Sequence, residues 1–160
     1  LAGIVGAPGA DDGAGSAATF QIPQGLDVDS AGNVYVADTG NHTIRKITPA
    51  GVVSTLAGSA GLFGLQDGVG SAARFNTPSD VAVDATGNVY VADQNNHVVR
   101  RIAPDGTVTT VAGAAGTFGV RLGPLPGSLG EIRSIALLPG PRPTLVQTDS
   151  EKGILLITLP

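Results

Sequence analysis

The sequence predicts an all-β protein assembled from repeated four-stranded antiparallel sheets. The stretch GNVYVAD at residues 32–38 returns residue for residue at 87–93, which is 55 positions later. Residues 1–55 and 56–110 are identical at 30 of 55 positions when they are aligned directly. A fixed period of this length is typical of a repeat architecture. The 24 glycines and the low charged fraction of 14% favour a turn-rich β protein over a disordered chain.

Each unit is interpreted as four short strands that are separated by turn residues. In the first unit we expect strand a at residues 26–28, strand b at 34–37, strand c at 42–48 and strand d at 52–57. Strand b is apolar throughout, as expected of a strand that is buried on both faces, whereas strands c and d mix apolar and polar residues. An antiparallel meander with a buried inner half and a more polar outer edge is typical of a β-propeller blade.

The third unit, residues 111–160, is degenerate and lacks the GNVYVAD motif. Its predicted strands a, b and c lie at 134–138, 144–147 and 154–158. No strand d follows them, whereas residues 1–5 have the character of a strand d without strands a to c before it. We therefore expect one propeller segment over residues 1–160, with two complete blades and one blade that is split between the two ends.

The ring must be closed from outside these three blades, because propellers have about four to eight blades. An open arc also exposes the inner faces of its end blades as apolar patches. In one closure, two chains pair with two-fold symmetry into a six-bladed ring, and residues 1–5 of each chain complete the third blade of the other. In the other, blades outside this stretch of sequence complete the ring. The match between the chain ends favours the first closure, and the lack of Met, so that Leu1 is not a translation start, favours the second.

The motif GNVYVAD, followed by Asn-His and then by Ile/Val-Arg-Arg/Lys-Ile, resembles the NHL repeat. The Phe-x-x-Pro that precedes it at residues 20–23 and 75–78 belongs to the same pattern. The resemblance covers residues 20–58 and 75–113, and it implies a six-bladed β-propeller. The period of 55 exceeds the roughly 40–45 residues of a usual four-stranded blade. The extra residues lie between strand d and the next strand a, which resembles the long-loop NHL repeats of bacterial proteins.

The b–c turns and the d–a connections fall on one side of the propeller, because the strands of a meander alternate in direction. We call this side, with residues 39–42, 94–97 and 150–153 and the long inserts, the loop face. Function concentrates on loops that a rigid scaffold holds, so the loop face is the predicted binding surface. Alternatively, its inserts only fill the junctions between blades. The predicted binding residues are Thr39, Asn41, His42, Asp67, Gln94, Asn96 and His97.

The titratable residues of these loops are expected to be structural in the first place. His42 and His97 occupy the same position in successive units, so we expect each to bond its adjacent turn and not to hold a metal. Asp38 and Asp93 end strand b and are expected to cap the turn through the backbone N–H two residues on. The same is expected of the aspartates that open the a–b turns, Asp29 and Asp84.

The Asp-Gly pairs of the inserts could suggest a calcium site. Calcium takes six to eight oxygen ligands, and each insert offers only one or two carboxylates, so we expect a tight turn at Asp12 and at Asp67 with small residues packed under the following phenylalanine. The basic pairs of strand c, at residues 45–46 and 100–101, are expected on the solvated outer face with their aliphatic stems packed along it.

Composition narrows the function classes. The net charge of −4 and the pI near 4.8 argue against nucleic acid, which needs basic patches. The absence of Cys excludes a disulfide framework, a thiolate metal site and a cysteine nucleophile. No apolar run reaches the about 18–20 residues that span a bilayer.

These observations predict a non-catalytic binding or assembly module without a cofactor. Its partner is a protein or a second copy in a two-fold homodimer, and its expected place is outside the cell or on the surface of a bacterium. The first alternative is a metal-dependent propeller enzyme of the lyase or lactonase type. The second is an RNA-binding NHL propeller, which the acidic charge disfavours.

Overall fold

The computed structural model describes residues 2–114, 129–138, 144–149 and 153–158. Within these ranges the chain forms three antiparallel sheets and contains no α-helix. Each sheet is a propeller blade, and we number the blades 1 to 3 in chain order. The prediction of an all-β fold with antiparallel blades is confirmed.

The strands follow the 55-residue repeat. Blade 1 contains β1 (Gly13–Ala14), β2 (Pro23–Val28), β3 (Val34–Asp38), β4 (Thr43–Ile47) and β5 (Val52–Gly58). Blade 2 contains β6 (Gly68–Val69), β7 (Pro78–Val83), β8 (Val89–Asp93), β9 (Val98–Ile102) and β10 (Thr107–Ala112). Blade 3 contains β11 (Ile132–Leu138), β12 (Thr144–Asp149) and β13 (Gly153–Thr158). The predicted strands a to d are β2 to β5 and β7 to β10, and the strands of the third unit are β11 to β13.

The a–b turns form as the sequence indicates. The Asp29 carboxylate accepts hydrogen bonds from the Ala31 N–H at 2.9 Å and from the Asn33 N–H at 2.8 Å, and Asp84 accepts from the Thr86 N–H at 2.9 Å. Such side-chain bonds to the backbone two residues on fix a tight turn. The predicted role of these two aspartates is confirmed.

The long inserts add a fifth strand to the outer edge of blades 1 and 2. Strand β1 pairs with β5, with Gly13 opposite Val53, and β6 pairs in the same way with β10. The predicted turn forms just after each Asp-Gly pair, as the 3₁₀ turns Gly15–Ala17 and Gly70–Ala72, and Ala73 is buried in one core with Phe75. The sequence did not predict the strands β1 and β6, and the inserts do not stay on the loop face. They descend along the outer edge and cover the backbone groups that an edge strand leaves open.

The predicted strand at the start of the chain is absent over residues 2–5, and Leu1 lies outside the described residues. By the repeat, Ala2 and Gly3 correspond to Ala57 and Gly58, which end β5 and pair with β4. In a single copy no strand of the described residues lies beside residues 2–5, so no ladder of hydrogen bonds forms. Residues 2–5 thus form no strand in a single copy, and their completion of a split blade stays a prediction.

Two apolar cores lie between the blades and hold them side by side. The core between blades 1 and 2 contains Tyr35 and Ile44 of blade 1, which pack with Phe75 and with valines of blade 2. The core between blades 2 and 3 is built around Tyr90, Ile132 and Leu145. How deeply a strand is buried depends on the place of its blade in the row of three. Strand β8 of the middle blade is buried along its whole length, whereas Leu26 of β2 in blade 1 is 60% exposed.

Candidate functional site

The b–c turns of blades 1 and 2 are short 3₁₀ turns that end in a histidine. Residues Thr39–Asn41 and Gln94–Asn96 form the turns, and His42 and His97 follow with φ of +58° and +57°. This left-handed conformation is uncommon for a residue other than glycine. It turns the chain sharply into strand c, and it places each imidazole at the junction with the next blade.

Each b–c turn is fixed by a buried aspartate at the end of strand b. Asp38 Oδ1 accepts from the Gln21 N–H at 2.7 Å, and Oδ2 accepts from Asn41 Nδ2 at 2.7 Å and from Arg45 Nη1 at 2.8 Å. The Asp38 side chain is fully buried. Its backbone partner lies 17 positions upstream, so the expected bond to the N–H two residues on is wrong, and Asp38 ties the insert to the turn.

Blade 2 repeats this arrangement around Asp93. The carboxylate accepts from the Asn76 N–H at 2.7 Å, from Asn96 Nδ2 at 2.7 Å and from Arg100 Nη1 at 3.1 Å. Burial raises the pKa of Asp93 to about 6, and these donors offset only part of that effect. The Asp93 side chain is fully buried and its carboxylate is hydrogen-bonded by these donors, so it acts as a structural element of the turn.

Arg45 and Arg100 of strand c are buried, so the prediction that the basic pairs lie on a solvated outer face is wrong for these two residues, whereas Lys46 and Arg101 are half-buried. The Arg45 side chain is 0% exposed and joins Asp38 to the insert, where Nη2 donates to Asp12 Oδ1 at 2.8 Å. Its guanidinium lies 5.0 Å from the centre of the Phe20 ring. The planar, multiply donating guanidinium can satisfy this many partners inside a protein.

Arg100 makes the equivalent contacts in blade 2. It pairs with Asp93 and with Asp67, at 2.7 Å from Asp67 Oδ1, and lies 5.2 Å from the Phe75 ring centre. The structure thus places Asp67, which the sequence predicted for binding, in an ion pair at the outer side of the blade. It also accepts hydrogen bonds from the N–H and the hydroxyl of Thr110.

Each histidine bonds its adjacent turn through the backbone, as expected, because the N–H groups of His42 and His97 donate to the carbonyl oxygens of Thr39 at 3.2 Å and Gln94 at 3.1 Å. The two imidazoles also reach across to the next blade. The Thr77 N–H donates to His42 Nδ1 at 3.0 Å, so this nitrogen carries no proton. His97 Nδ1 lies 3.2 Å from the Gly130 carbonyl oxygen, which only accepts, so here Nδ1–H is the donor. Burial lowers the pKa of His42 below its ordinary value. The two imidazoles hold the same place with opposite hydrogen-bonding roles.

Of the remaining predicted loop-face residues, Thr39 and Gln94 bond to the next blade and the two asparagines bond to the inserts. Thr39 Oγ1 donates to the Pro78 carbonyl oxygen at 2.6 Å, and Gln94 Nε2 donates to Glu131 of blade 3. This hydrogen bond lowers the pKa of the Glu131 carboxyl. The amides of the two turn asparagines donate to insert carbonyls, Asn41 to Gly9 and Asn96 to Gly64. The structure therefore brings these side chains together in one band along the top of the blades.

Sequence reasoning missed a second set of links on the inner strands. Asp27 Oδ2 accepts from the Val83 N–H at 2.8 Å, and Asp80 Oδ2 accepts from the Ile135 N–H at 3.0 Å. Each aspartate joins its blade to the next one. The signal in the sequence was a carboxylate inside an otherwise apolar inner strand, where a charge needs a partner.

One part of the loop face stays open to solvent. Leu62 and Phe63, at the tip of the insert before blade 2, are 52% and 67% exposed. The Phe63 ring centre lies 5.6 Å from that of His42. Within the described residues no group of three or more His, Asp or Glu side chains is arranged to hold a metal ion. No helix in this part of the chain is long and apolar enough to cross a membrane.

Comparisons with known proteins identify the repeat. The NHL repeat model matches residues 20–47 and 75–102. The chain is 37% identical over 95 residues to Protein SUPPRESSOR OF QUENCHING 1, chloroplastic, of Arabidopsis thaliana, which covers 59% of this chain and 9% of that protein. It is also 37% identical over 94 residues to NHL repeat-containing protein 2 of Bos taurus, covering 58% of this chain and 13% of the relative. The chain thus spans about a tenth of the length of these two relatives.

Solved structures show the same fold. A structural genomics protein of unknown function from Bacteroides thetaiotaomicron VPI-5482 is 28% identical, with a TM-score of 0.77 over 86% of this chain and 35% of that protein. Structures that share the fold include binding proteins and lyases, so the fold alone does not decide between binding and catalysis. The repeated motif, the matching repeat model and the blade geometry together show that this chain is an NHL-repeat β-propeller segment.

Proposed function

We propose that this segment is a non-catalytic binding or assembly module, which takes a protein partner on its loop face. The observation that supports the proposal is the exposed pair Leu62 and Phe63 beside the His42 ring. Exposed aromatic residues on a rigid support are the usual anchors of protein interfaces. The proposal places the protein outside the cell or on the surface of a bacterium.

The anchor is held from both sides, so that little conformational entropy is lost when a partner binds. Ser59 and Leu62 form a β-bridge, and the Gly64 N–H donates to the Phe75 carbonyl oxygen at 3.0 Å. The Gly64 carbonyl in turn accepts from the Asn96 amide at 2.8 Å. Ordering of interface groups costs affinity, and these bonds order the insert before any partner arrives.

In our proposal the predicted binding residues form the surface beneath this anchor. The six residues of the two b–c turns in that set already have hydrogen-bond partners at the junctions. A partner would therefore contact the apolar tip first and reach the polar band at its rim. Such an apolar centre with a polar rim is the common anatomy of a protein interface.

A peptide-display selection tests the proposal. Peptides are selected on the wild-type chain and their affinities are measured again on Phe63→Ala and on Val69→Ala. Val69 is a matched control, because it is 60% exposed but lies on the outer edge of blade 2. We expect Phe63→Ala to weaken binding by about tenfold or more, the range of an interface anchor, and Val69→Ala to leave it unchanged. A selection that yields no binders, or binders insensitive to Phe63→Ala, would overturn the proposal.

A metal-dependent enzyme is the alternative from another class. In our proposal the ring nitrogens at the junctions hold blades together, since His42 Nδ1 and His97 Nδ1 each face a backbone group of the next blade. Elemental analysis of the purified chain after exposure to zinc and to calcium tests this point. One equivalent of tightly bound metal per chain would favour the enzyme. An RNA-binding role predicts retention on a polyanion column at low salt, and the net charge of −4 predicts none.

A further inference from the structure

The imidazole of His42 is held in one tautomer by the next blade. The Thr77 N–H donates to its Nδ1 at 3.0 Å, so the proton of the neutral ring lies on Nε2. This Nε2–H group has no hydrogen-bond partner within the described residues, and it remains in contact with solvent. The junction between blades 1 and 2 therefore carries a hydrogen-bond donor whose position and protonation are both fixed.

This donor lies next to the exposed anchor of the loop face. The centre of the His42 ring is 5.6 Å from that of the Phe63 ring, and the two planes are tilted by 52°. Phe63 is 67% exposed, whereas His42 is half-buried. A partner that covers the Phe63 side chain also covers Nε2–H, and it has to supply an acceptor there, because a buried donor without a partner destabilises the complex.

Protonation of His42 is incompatible with this arrangement. The imidazolium carries protons on both ring nitrogens, so its Nδ1–H would face the Thr77 N–H, and two donors cannot bond each other. The ring then has to turn away from Thr77, and Nε2 leaves its place beside Phe63. The donor is therefore available at this position while the ring is neutral.

The equivalent histidine of blade 2 does not have this conflict. His97 Nδ1 lies 3.2 Å from the Gly130 carbonyl oxygen, which only accepts, so Nδ1 carries its proton in the neutral ring and in the imidazolium alike. Protonation leaves that hydrogen bond in place. The junction of blades 1 and 2 is thus sensitive to histidine protonation at a point where the junction of blades 2 and 3 is not.

The charged side chains on the elements around His42 are engaged elsewhere. These elements are β4, the turn before it, the insert and β7, and their charged residues are Asp38, Arg45, Lys46, Asp67, Arg74 and Asp80. They form the two buried ion-pair networks, a contact with the Tyr35 ring, and bonds to backbone groups of the insert and of blade 3. Burial lowers the pKa of His42, and no charge on the described residues contributes to that shift.

We infer that His42 determines what the loop-face anchor accepts: while the ring is neutral its Nε2–H binds a neutral acceptor, a backbone carbonyl of a partner peptide, and protonation releases that peptide. The inference rests on the proposed function, since it names the partner group that lies beside Phe63. A carboxylate in the same place would favour the imidazolium, which breaks the bond from the Thr77 N–H. The site therefore selects a peptide carbonyl over an acidic side chain.

NMR of the labelled chain tests the donor without any partner. At about pH 7.5 the nitrogen shifts should place the ring proton of His42 on Nε2 and that of His97 on Nδ1, so the second histidine is the internal control. As the pH falls, the amide proton of Thr77 should shift together with the titration of His42, because its acceptor is lost. A His42 proton on Nδ1, or a Thr77 amide that does not follow the titration, would overturn the inference.

The pH dependence of binding tests the switch, with the peptides selected on the wild-type chain as probes. Below the pKa of His42 their affinity should fall by up to about tenfold per pH unit, since only the neutral form binds. His42→Asn, which tolerates the left-handed backbone, should bind about two- to tenfold more weakly at about pH 7.5, the effect of one hydrogen bond, and should not show this fall. Asp93, with a pKa of about 6, is kept in the variant. A fall that persists in His42→Asn would therefore overturn the inference.

The acceptor is identified by replacing each backbone carbonyl oxygen of the tightest peptide in turn with sulfur, a weaker acceptor. One position should weaken binding to the wild-type chain and leave binding to His42→Asn unchanged. If no position does so, the inference fails. Peptides that require Phe63 but bind equally well from about pH 7.5 to pH 5 would overturn the inference and leave the proposed function in place, whereas a selection without binders would overturn both.

Discussion

Replacing Arg45, the buried arginine of blade 1, should lower the free energy of unfolding far more than replacing its neighbour Lys46. Arg45→Met removes ion pairs of 2.8 Å to Asp38 and to Asp12, and hydrogen bonds to the carbonyl groups of Thr19 and Asp11. Asp12 is half-exposed and water replaces its lost partner, so this pair contributes at most about 1 kcal/mol. Asp38 has no such replacement, because its side chain is 0% exposed.

The magnitude follows from that buried carboxylate. Removal of one partner of a buried ion pair costs about 3–5 kcal/mol, because the other charge stays buried without compensation. Asp38 keeps its bonds from the Gln21 N–H and from Asn41, which places the expected loss toward the lower end. With a urea slope of about 2 kcal/mol per M, the midpoint of unfolding should fall by about 1.5–2 M.

The assay is urea unfolding followed by far-UV circular dichroism, with Lys46→Met as the matched control. Lys46 is the next residue, and Lys46→Met likewise replaces a cationic side chain by methionine. The Lys46 ammonium, however, lies 5.5 Å from the centre of the Tyr35 ring on a partly exposed surface. We expect a loss of at most about 1 kcal/mol for the control. The further change Asp38→Asn in the Arg45→Met background should restore part of the stability, because it removes the buried charge. If Arg45→Met and Lys46→Met lower the free energy of unfolding equally, the ion pairs and hydrogen bonds of Arg45 do not stabilise the turn.

Three further outcomes are expected. Since burial lowers the pKa of His42 from its ordinary value of 6.5, the unfolded chain takes up a proton there that the folded chain resists, whereas the pKa of Asp93, raised to about 6, contributes with the opposite sign; in urea titrations the wild-type chain should therefore lose more, or gain less, free energy of unfolding between about pH 7.5 and pH 5.5 than His42→Asn, which tolerates the left-handed backbone. Thr39→Val removes the hydroxyl bonded to a carbonyl of blade 2 and should cost about 1 kcal/mol by thermal unfolding, whereas an unchanged melting temperature would contradict a role at the junction. Phe75→Ala should cost about 3–5 kcal/mol because the ring is 0% exposed, against less than about 0.5 kcal/mol for Phe63→Ala at 67% exposure, and equal losses would show that the core between blades 1 and 2 does not hold them together.

Local pattern was enough to predict the strands. Turn residues, an apolar strand b and the exact repeat placed β3 and β8 to within one residue, because these features depend on neighbours in sequence. The a–b turns, which Asp29 and Asp84 fix, were predicted for the same reason. The inserts were harder, since Gly13–Ala14 and Gly68–Val69 are strands only because β5 and β10 offer an edge to pair with.

The candidate site could be predicted in location but not in role. The repeat places Thr39, His42 and Asn96 on one face; in the structure Thr39 and His42 bond to blade 2 and Asn96 bonds to the insert, and their role in binding stays a prediction. What each side chain contacts depends on residues 32–39 positions away, which no local pattern states. The arginines illustrate the limit, because alternation places Arg45 correctly on one side of strand c without telling whether an insert covers that side.

The sequence by itself determined that the protein is a row of antiparallel NHL blades with a 55-residue period, because hydrophobic alternation and turn chemistry are local properties. Only the tertiary structure decided the roles of the charged residues. Arg45 and Arg100 have the composition of a solvated surface, yet each is buried because the folded insert brings a second carboxylate and backbone carbonyls to its guanidinium.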